Sequence, residues 1–452
     1  MIVPANRMLW TTGLVFLPGA LMAALVPGLL PLVVCVMLAV VVVAVLDAAA
    51  SPRRLDGLTV DFSVETGEVP VFRFTCGRPG KLLVHLYRSS LQPMSLRIGM
   101  ALPSTFEESQ ETMRVYWPAQ DEQLRVEWDA TPQQRGRYEV EGLHLETDSR
   151  LGLWKVRRSW AARAELRVYP SLLDERKRFS GLFLHRGGFG VHARRQVGRG
   201  RDFEKLREYI PGDSYEDIHW KATARRGLPV TKLFQVERTQ EVYVIIDSSR
   251  LSARMARNAE DGSSAPQLDR FITAALVLGL VAEHQGDLYG LLTFSDRIHS
   301  FVRARGGRAH HLSCRDALYT LESRPVNPDF EELCAFIHLR LRRRALLVFL
   351  TNLDDPILAE SFLEQCRLLS RRHLVLVNSI TPPQVRPLFS VGGLETPDAM
   401  VEALAGHLQW RGLKEIQRGL QRQGAVLSLL DTAALSHEVV SQYMRVKERQ
   451  AL

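Results

Sequence analysis

From residue 8 to residue 46 the chain carries no charged side chain. So long an apolar stretch must leave water, and a bilayer accepts it without a protein core around it. Residues 8–26 form one apolar run and residues 29–46 a second, with Pro27, Gly28 and Pro31 at the join. Each run has about the 17–25 residues that a helix needs to cross hydrocarbon. The break lets the chain turn at the far face, so the pattern predicts a transmembrane helical hairpin within residues 1–57. Arg7 precedes the pair, Arg53 and Arg54 follow it, and the turn between carries no charge. The positive-inside rule then places both ends, and the soluble remainder, on the cytoplasmic side of a multi-pass inner-membrane protein. A secretory signal peptide would carry one short apolar core before a small-residue cleavage site. Residues 48–51 mimic such a site, but the apolar stretch is too long.

The remainder of the 452 residues is enough for more than one core. Hydrophobic residues at 46% and charged residues at 24% suit globular folding. The formal net charge of +8 is spread along the chain, with no zinc-finger or RNP-type motif, so the excess suits a membrane-proximal protein better than a nucleic-acid binder. Cys35, Cys76, Cys314, Cys334 and Cys366 are scattered and odd in number, with no CxxC. They read as free thiols in a reducing compartment, not as a disulfide framework or a zinc site.

Residues 58–170 alternate apolar and polar side chains over short runs: 58–64, 81–87, 123–128 and 165–169. That period, with intervening Gly, Pro and Ser, predicts antiparallel strands with one wet face, and several of them suggest a β-sandwich. Trp117, Trp128, Trp154 and Trp160 are assigned to its packing, ahead of a carbohydrate-binding platform. Residues 171–239 form a connecting segment. It holds a flexible run at 187–190 and then the densest stretch of the chain, 198–225. Gly198 and Gly200 lack the Walker lysine-serine ending of a phosphate loop. Pro211-Gly212-Asp213 marks a turn, and Asp213 and Asp217 lie among Arg207, Lys221 and Arg225. We expect a buried salt-bridge network there, with Tyr209 and Trp220 in a core.

Residues 240–452 switch to strands alternating with helices, which predicts a doubly wound, mostly parallel α/β sheet. Ligands of such sheets sit beyond the carboxyl ends of the strands. Asp247, Ser249, Thr351 and Asn352 fall there.

Several of these residues coincide with a known pattern. They are Arg135-Gly-Arg-Tyr138, Arg150-Leu-Gly-Leu-Trp154, Phe203, Leu206-Arg-Glu-Tyr209, Pro211-Gly-Asp213, Ile218, Trp220-Lys221 and Ala224-Arg225. On these the chain resembles bacterial membrane proteins of the domain-of-unknown-function family fifty-eight, over nearly its whole length. Their last domain is similar to the von Willebrand factor A fold. Glu216 stands where that family usually has arginine, and His219 where it usually has aspartate.

The resemblance implies a divalent-cation site built from a DxSxS loop, a distant threonine and an aspartate after a later strand. Mg²⁺ favours such oxygen ligands. Asp247 and Ser249 keep the first positions, but Leu251 stands at the third, Arg308 follows Gly306-Gly307 in place of threonine, and Asn352 replaces the aspartate. The site is therefore expected to be degenerate, with no cofactor. Asp354 and Asp355 lie two and three residues too late, and the tandem His310-His311 reads as surface helix. No P-loop, HExxH or GxSxG motif marks an enzyme. The resemblance implies a membrane-anchored, non-catalytic interaction or adaptor module working with a MoxR-type AAA+ ATPase. Phe203–Arg225 is expected to be structural, and Asp247, Ser249, Arg308 and Asn352 to line the partner surface. A metal-dependent adhesin facing outward is the alternative, and an enzyme of unknown reaction is another.

Overall fold

In the computed structural model the apolar stretch folds as two helices, α1 (Asn6–Leu25) and α2 (Leu30–Ala50), joined by a 3-10 turn at Pro27–Leu29. Both are long and apolar enough to cross a membrane, and neither buries its apolar window in protein. The structure describes residues 1–452 apart from 52–54, 63–69, 90–92, 109, 162, 174, 176–196, 212–213, 236–239, 258–263, 383, 391–395 and 450–452. The chain divides into two compact units, Met1–Ser171 and Leu172–Leu452.

The first unit combines the helices with a β-rich region. Its strands are β1 (Ile2–Pro4), β2 (Leu58–Asp61), β3 (Val71–Thr75), β4 (Gly80–Arg88), β5 (Met94–Met100), β6 (Phe106–Glu108), β7 (Met113–Trp117), β8 (Gln123–Pro132), β9 (Gly136–Val140), β10 (Leu143–Asp148), β11 (Trp154–Trp160) and β12 (Ala164–Tyr169). They form sheets of order β1-β11-β10-β5-β7, β2-β4-β8-β6 and β3-β12-β9. The alternation seen in the sequence is the reason. In β5, Met94, Leu96, Ile98 and Met100 point inward to a core that also holds Trp117 and Trp128. Trp154 and Trp160 are half-buried, and each indole N–H donates to a backbone carbonyl, of Ala44 and Leu58 respectively.

The helical pair is joined to this region at both ends. Before α1, β1 adds to the sheet as an edge strand, paired with β11. At the end of α2, the buried Asp47 accepts from Ser149 Oγ at 2.6 Å and from the Leu151 amide at 3.3 Å. Ile2–Pro4, ahead of Arg7, are thus a strand of the β-rich region.

In the second unit the segment read as a connection folds in its own right. Strands β13 (Val197–Glu208) and β14 (Val230–Gln235) pair antiparallel, with the short helix α3 (Trp220–Arg226) between them. Then follow β15 (Glu241–Asp247), the small pair β16 (Met255–Arg257) and β17 (Ser264–Pro266), α4 (Gln267–His284), β18 (Leu288–Phe294), β19 (Ile298–Arg305), α5 (Arg308–Leu318) and α6 (Phe330–Arg340). Next come β20 (Leu346–Leu350), α7 (Pro356–Ser370), β21 (Leu374–Ile380), α8 (Pro397–Arg422), β22 (Val426–Leu430) and α9 (Leu435–Glu448). The main sheet runs β19-β18-β15-β20-β21-β22, parallel except for β19. Both faces are covered. Val242, Val244 and Ile246 of β15 pack with α4 and α9, while Tyr243 and Ile245 pack with α6 and α7. This two-sided burial explains why these strands read as continuous apolar runs.

His373, on the turn before β21, is buried and accepts from the Ala345 amide at 3.3 Å. Burial, reinforced by nearby Arg372, His338 and Arg344, lowers its pKa from 6.5 to about 4. The unfolded chain then binds the extra proton more readily, so stability present above about pH 6.5 is lost as pH falls toward 4. The loss amounts to about 3 kcal/mol over that window. The H373Q variant, which keeps an acceptor but cannot titrate, is expected to lack this component in urea unfolding measured at successive pH values. Identical pH profiles for the two proteins would refute the assignment.

Candidate functional site

The chain leaves β15 for β18 on one side and returns later to β20 on the other. The reversal marks the switch-point crevice of such sheets, beyond the carboxyl ends of β15 and β20, which side chains fill here. Asp247, Ser249, Thr351 and Asn352 meet there, and all four are enclosed. Asp247 accepts from Thr351 Oγ1 at 2.6 Å and from the Ser249 amide at 2.8 Å. Burial pushes its carboxyl above the ordinary range, against the pull of the Thr351 and Ser249 hydrogen bonds. Asn352 donates to the Leu251 carbonyl at 3.2 Å and to Gln267 Oε1. Its own carbonyl accepts from Ser379 Oγ at 3.3 Å and from the Ile380 amide at 3.1 Å.

These bonds decide whether a divalent cation fits. Leu251 is fully buried and its side chain has no oxygen. The Asn352 oxygen already faces two donors. Asp355 pairs with Arg250 at 2.8 Å, and Asp354 pairs with Arg254, so both carboxylates already hold a guanidinium group. Among the described residues no group of three or more His, Cys, Asp or Glu is placed to hold a metal ion. The residues present do not fit the octahedral oxygen site that the resemblance implies.

The partner-surface expectation for Asp247, Ser249 and Asn352 needs correction, because enclosed side chains make no contact surface. The expectation for Arg308 fails for a different reason. Strand β19 runs antiparallel to β18 and brings Arg305 opposite Tyr289, at the start of β18. Arg308, the exposed first residue of α5, therefore lies at the opposite end of the sheet from Asp247. The segment that does reach the crevice is the loop between α5 and α6. The Arg324 amide donates to the Ser248 carbonyl at 2.8 Å, and the Arg250 amide donates to the Val326 carbonyl at 3.0 Å. The two histidines also differ from a surface pair: His311 is buried, and His310 Nε2 lies 2.7 Å from the Tyr289 carbonyl.

The dense motif is the β13–β14 hairpin and its connection. Ile218 and Val230 are buried, and Ile218 bridges to Thr231. Tyr209 stacks on Tyr215 with ring centroids 6.0 Å apart. Gly227, at φ 71°, ends α3 in the left-handed region. Trp220, however, is 69% exposed, and Ile210, Tyr215 and Leu228 are exposed with it. Lys221 and Arg225 are exposed and make no ion pair among the described residues. The expected core tryptophan is thus not what the fold builds, since a two-stranded sheet with a two-turn helix has too little surface to enclose it. Of Phe203 the backbone pairing with Phe234 is described; Gly212 and Asp213 lie outside the described residues.

Residues 205–406 match the family described as protein of unknown function DUF58. This segment, less than half of the chain, is similar to that family. Curated relatives include uncharacterized proteins of Mycobacterium tuberculosis (strain ATCC 25618 / H37Rv) and Mycobacterium bovis (strain ATCC BAA-935 / AF2122/97), each 25% identical over 213 residues. The match takes in 46% of this chain and 64% of each relative, so it spans less than two thirds of their length. Similar solved structures include the SpRpn10 VWA domain, at 12% identity and a TM-score of 0.27, covering 45% of this chain and 95% of that one. The conserved hypothetical protein BatB from Bacteroides thetaiotaomicron has 12% identity and a TM-score of 0.26, covering 46% and 99%. An aerotolerance-related membrane protein from Bacteroides fragilis NCTC 9343 has 12% identity and a TM-score of 0.26, covering 44% and 98%.

One departure from the DUF58 pattern acquires a physical role. His219 is the N-cap of α3, and its Nδ1 accepts from the Ala222 amide at 3.1 Å. An aspartate carboxylate at that position caps the same way, so the imidazole preserves the cap. The residues missed from sequence are Arg250 and Arg254 with their partners Asp355 and Asp354. Their signal was present as two arginines after Asp247 and two aspartates after β20, but only the juxtaposition of β15 and β20 pairs them.

Proposed function

We propose that this chain is a membrane-anchored, non-catalytic interaction module, with the exposed part of the DUF58 motif as its docking surface. The β-rich region reads as a sandwich, and the six-stranded sheet as a doubly wound, von Willebrand factor A-like domain that carries the motif. The observation behind the proposal is the exposure of Trp220 in the middle of the motif. Tryptophan is costly to leave in water and is enriched where partners bind. Lys221, Arg225 and Arg226 accompany it on α3, so the complementary partner surface is acidic. A MoxR-type AAA+ ATPase is the partner that the family resemblance suggests. The enclosed crevice at Asp247 then serves as a structural hub that works without a cation. The test is co-purification of the ATPase with the detergent-solubilised full chain, compared between wild type and W220A.

We place both ends of the helical pair in the cytoplasm, from the basic flanks and the uncharged turn. A reporter active only in the cytoplasm, fused after Leu452, is expected to be active. Activity from an external-only reporter at the same position would reverse the topology.

A further inference from the structure

The β1-β11-β10-β5-β7 sheet carries a row of charges set by its register: Arg157 opposite Glu146, Glu146 opposite Arg97, and Arg97 opposite Arg114. Glu146 is already engaged, by Lys155 Nζ and Arg157 Nε, each at 2.7 Å. Arg97 donates through Nε to Thr112 Oγ1 at 3.1 Å. Neither Arg97 nor Arg114 makes an ion pair among the described residues. Two arginines directly opposed across strands repel each other unless an anion lies between them.

A cavity of about 240 Å³ opens at this place, lined by Asn6, Arg7, Arg97, Arg114, Glu146 and Lys155 among others. Asn6 and Arg7 are the first turn of α1, and the uncharged apolar run begins at the next residue. That first turn carries no acidic residue and α1 has no side-chain cap, so the positive end of the helix adds to the same field. Gly152, at φ +73°, leaves room for the arginine: a Cβ there would come within 3.0 Å of Arg7 Nη1. The cavity thus gathers four cations, Arg7, Arg97, Arg114 and Lys155, against two carboxylates, Asp148 and the already paired Glu146, and keeps a net positive charge.

We infer that this cavity binds a phosphate group, and that its source is the headgroup of an anionic phospholipid in the leaflet that α1 enters. The planar forks of Arg97 and Arg114 match phosphate oxygens, and their mutual repulsion is relieved when one is bound. The volume suits a headgroup and not a large ligand. The inference rests on the membrane anchoring proposed above, which the reporter fusion tests separately.

The experiment follows the unfolding midpoint of the full chain in neutral detergent as phosphatidylglycerol, phosphatidylcholine or inorganic phosphate is added. Phosphatidylglycerol is expected to raise the midpoint and phosphatidylcholine to leave it unchanged. In R97Q/R114Q the apparent affinity for phosphatidylglycerol is expected to fall roughly 30-fold, from about 1 kcal/mol per basic residue near a lipid surface. The single variant R114Q, at an exposed position, is expected to lose about fivefold and serves if the double variant does not fold. R343Q, on an exposed arginine of the other unit, is expected to respond as wild type. A shift given equally by inorganic phosphate and lost in R97Q/R114Q would keep the phosphate site and overturn the lipid as its source. No shift with any anion, or equal shifts in wild type and both variants, would overturn the site.

Discussion

Replacing Trp220 with alanine is expected to leave the unfolding midpoint almost unchanged and to abolish recovery of the ATPase partner. The ring is 69% exposed, so truncation removes little buried surface, and surface substitutions of this kind usually stay within about 0.5 kcal/mol. A tryptophan at the centre of an interface behaves differently. Its truncation costs about 2 kcal/mol or more, roughly a 30-fold loss of affinity. The comparison variant is R308E. Arg308 lies at the far end of the sheet from the crevice, beside the start of β18, and its charge reversal is expected to leave both stability and recovery as in wild type. A fall in the W220A midpoint with recovery intact would make the motif structural after all. Recovery unaffected by W220A at an unchanged midpoint would remove the motif from the interface.

Asn352→Asp is expected to destabilise the second unit by about 3 kcal/mol, even though it restores the residue type that a cation site of this fold would use. The amide side of Asn352 donates to the Leu251 carbonyl and Gln267 Oε1. A carboxylate there turns both contacts into acceptor facing acceptor, in a site closed to water. Mg²⁺ or Mn²⁺ is not expected to rescue the variant, because Leu251 contributes no side-chain oxygen and Asp247 is committed to Thr351 and Ser249. The measurement is thermal unfolding with either cation and with chelator, for wild type and variant. A cation that binds the folded state at 100 times its dissociation constant would add about 2.7 kcal/mol. A rise of that size in either protein would overturn the structural reading of the crevice.

Much of the second unit was legible from apolar runs. The segments around Glu241, Leu288, Leu346 and Leu374 are strands because each is apolar over a strand's length, and the helices between them show helical spacing. The helix after β19 starts at Arg308, where Gly307 at φ 98° leaves the strand direction. The β13–β14 hairpin was missed. Its residues 204–208 are almost all charged, which hides the period of two on which strand assignment depends.

Sequence by itself determined the helical pair, the strand-rich region, the alternating α/β unit and the place where Asp247 and Asn352 meet. These features depend on properties carried along the chain: an uncharged length, a period, and the rule that loops leave at the carboxyl ends of parallel strands. Only the tertiary structure decided that Asp247, Ser249 and Asn352 are enclosed, that Arg308 lies at the other end of the sheet, and that Trp220 is exposed. The reason is that burial is a property of neighbours. An antiparallel edge strand reverses the direction in which Gly306 and Arg308 leave the sheet, and a small hairpin has too few neighbours to cover its own tryptophan.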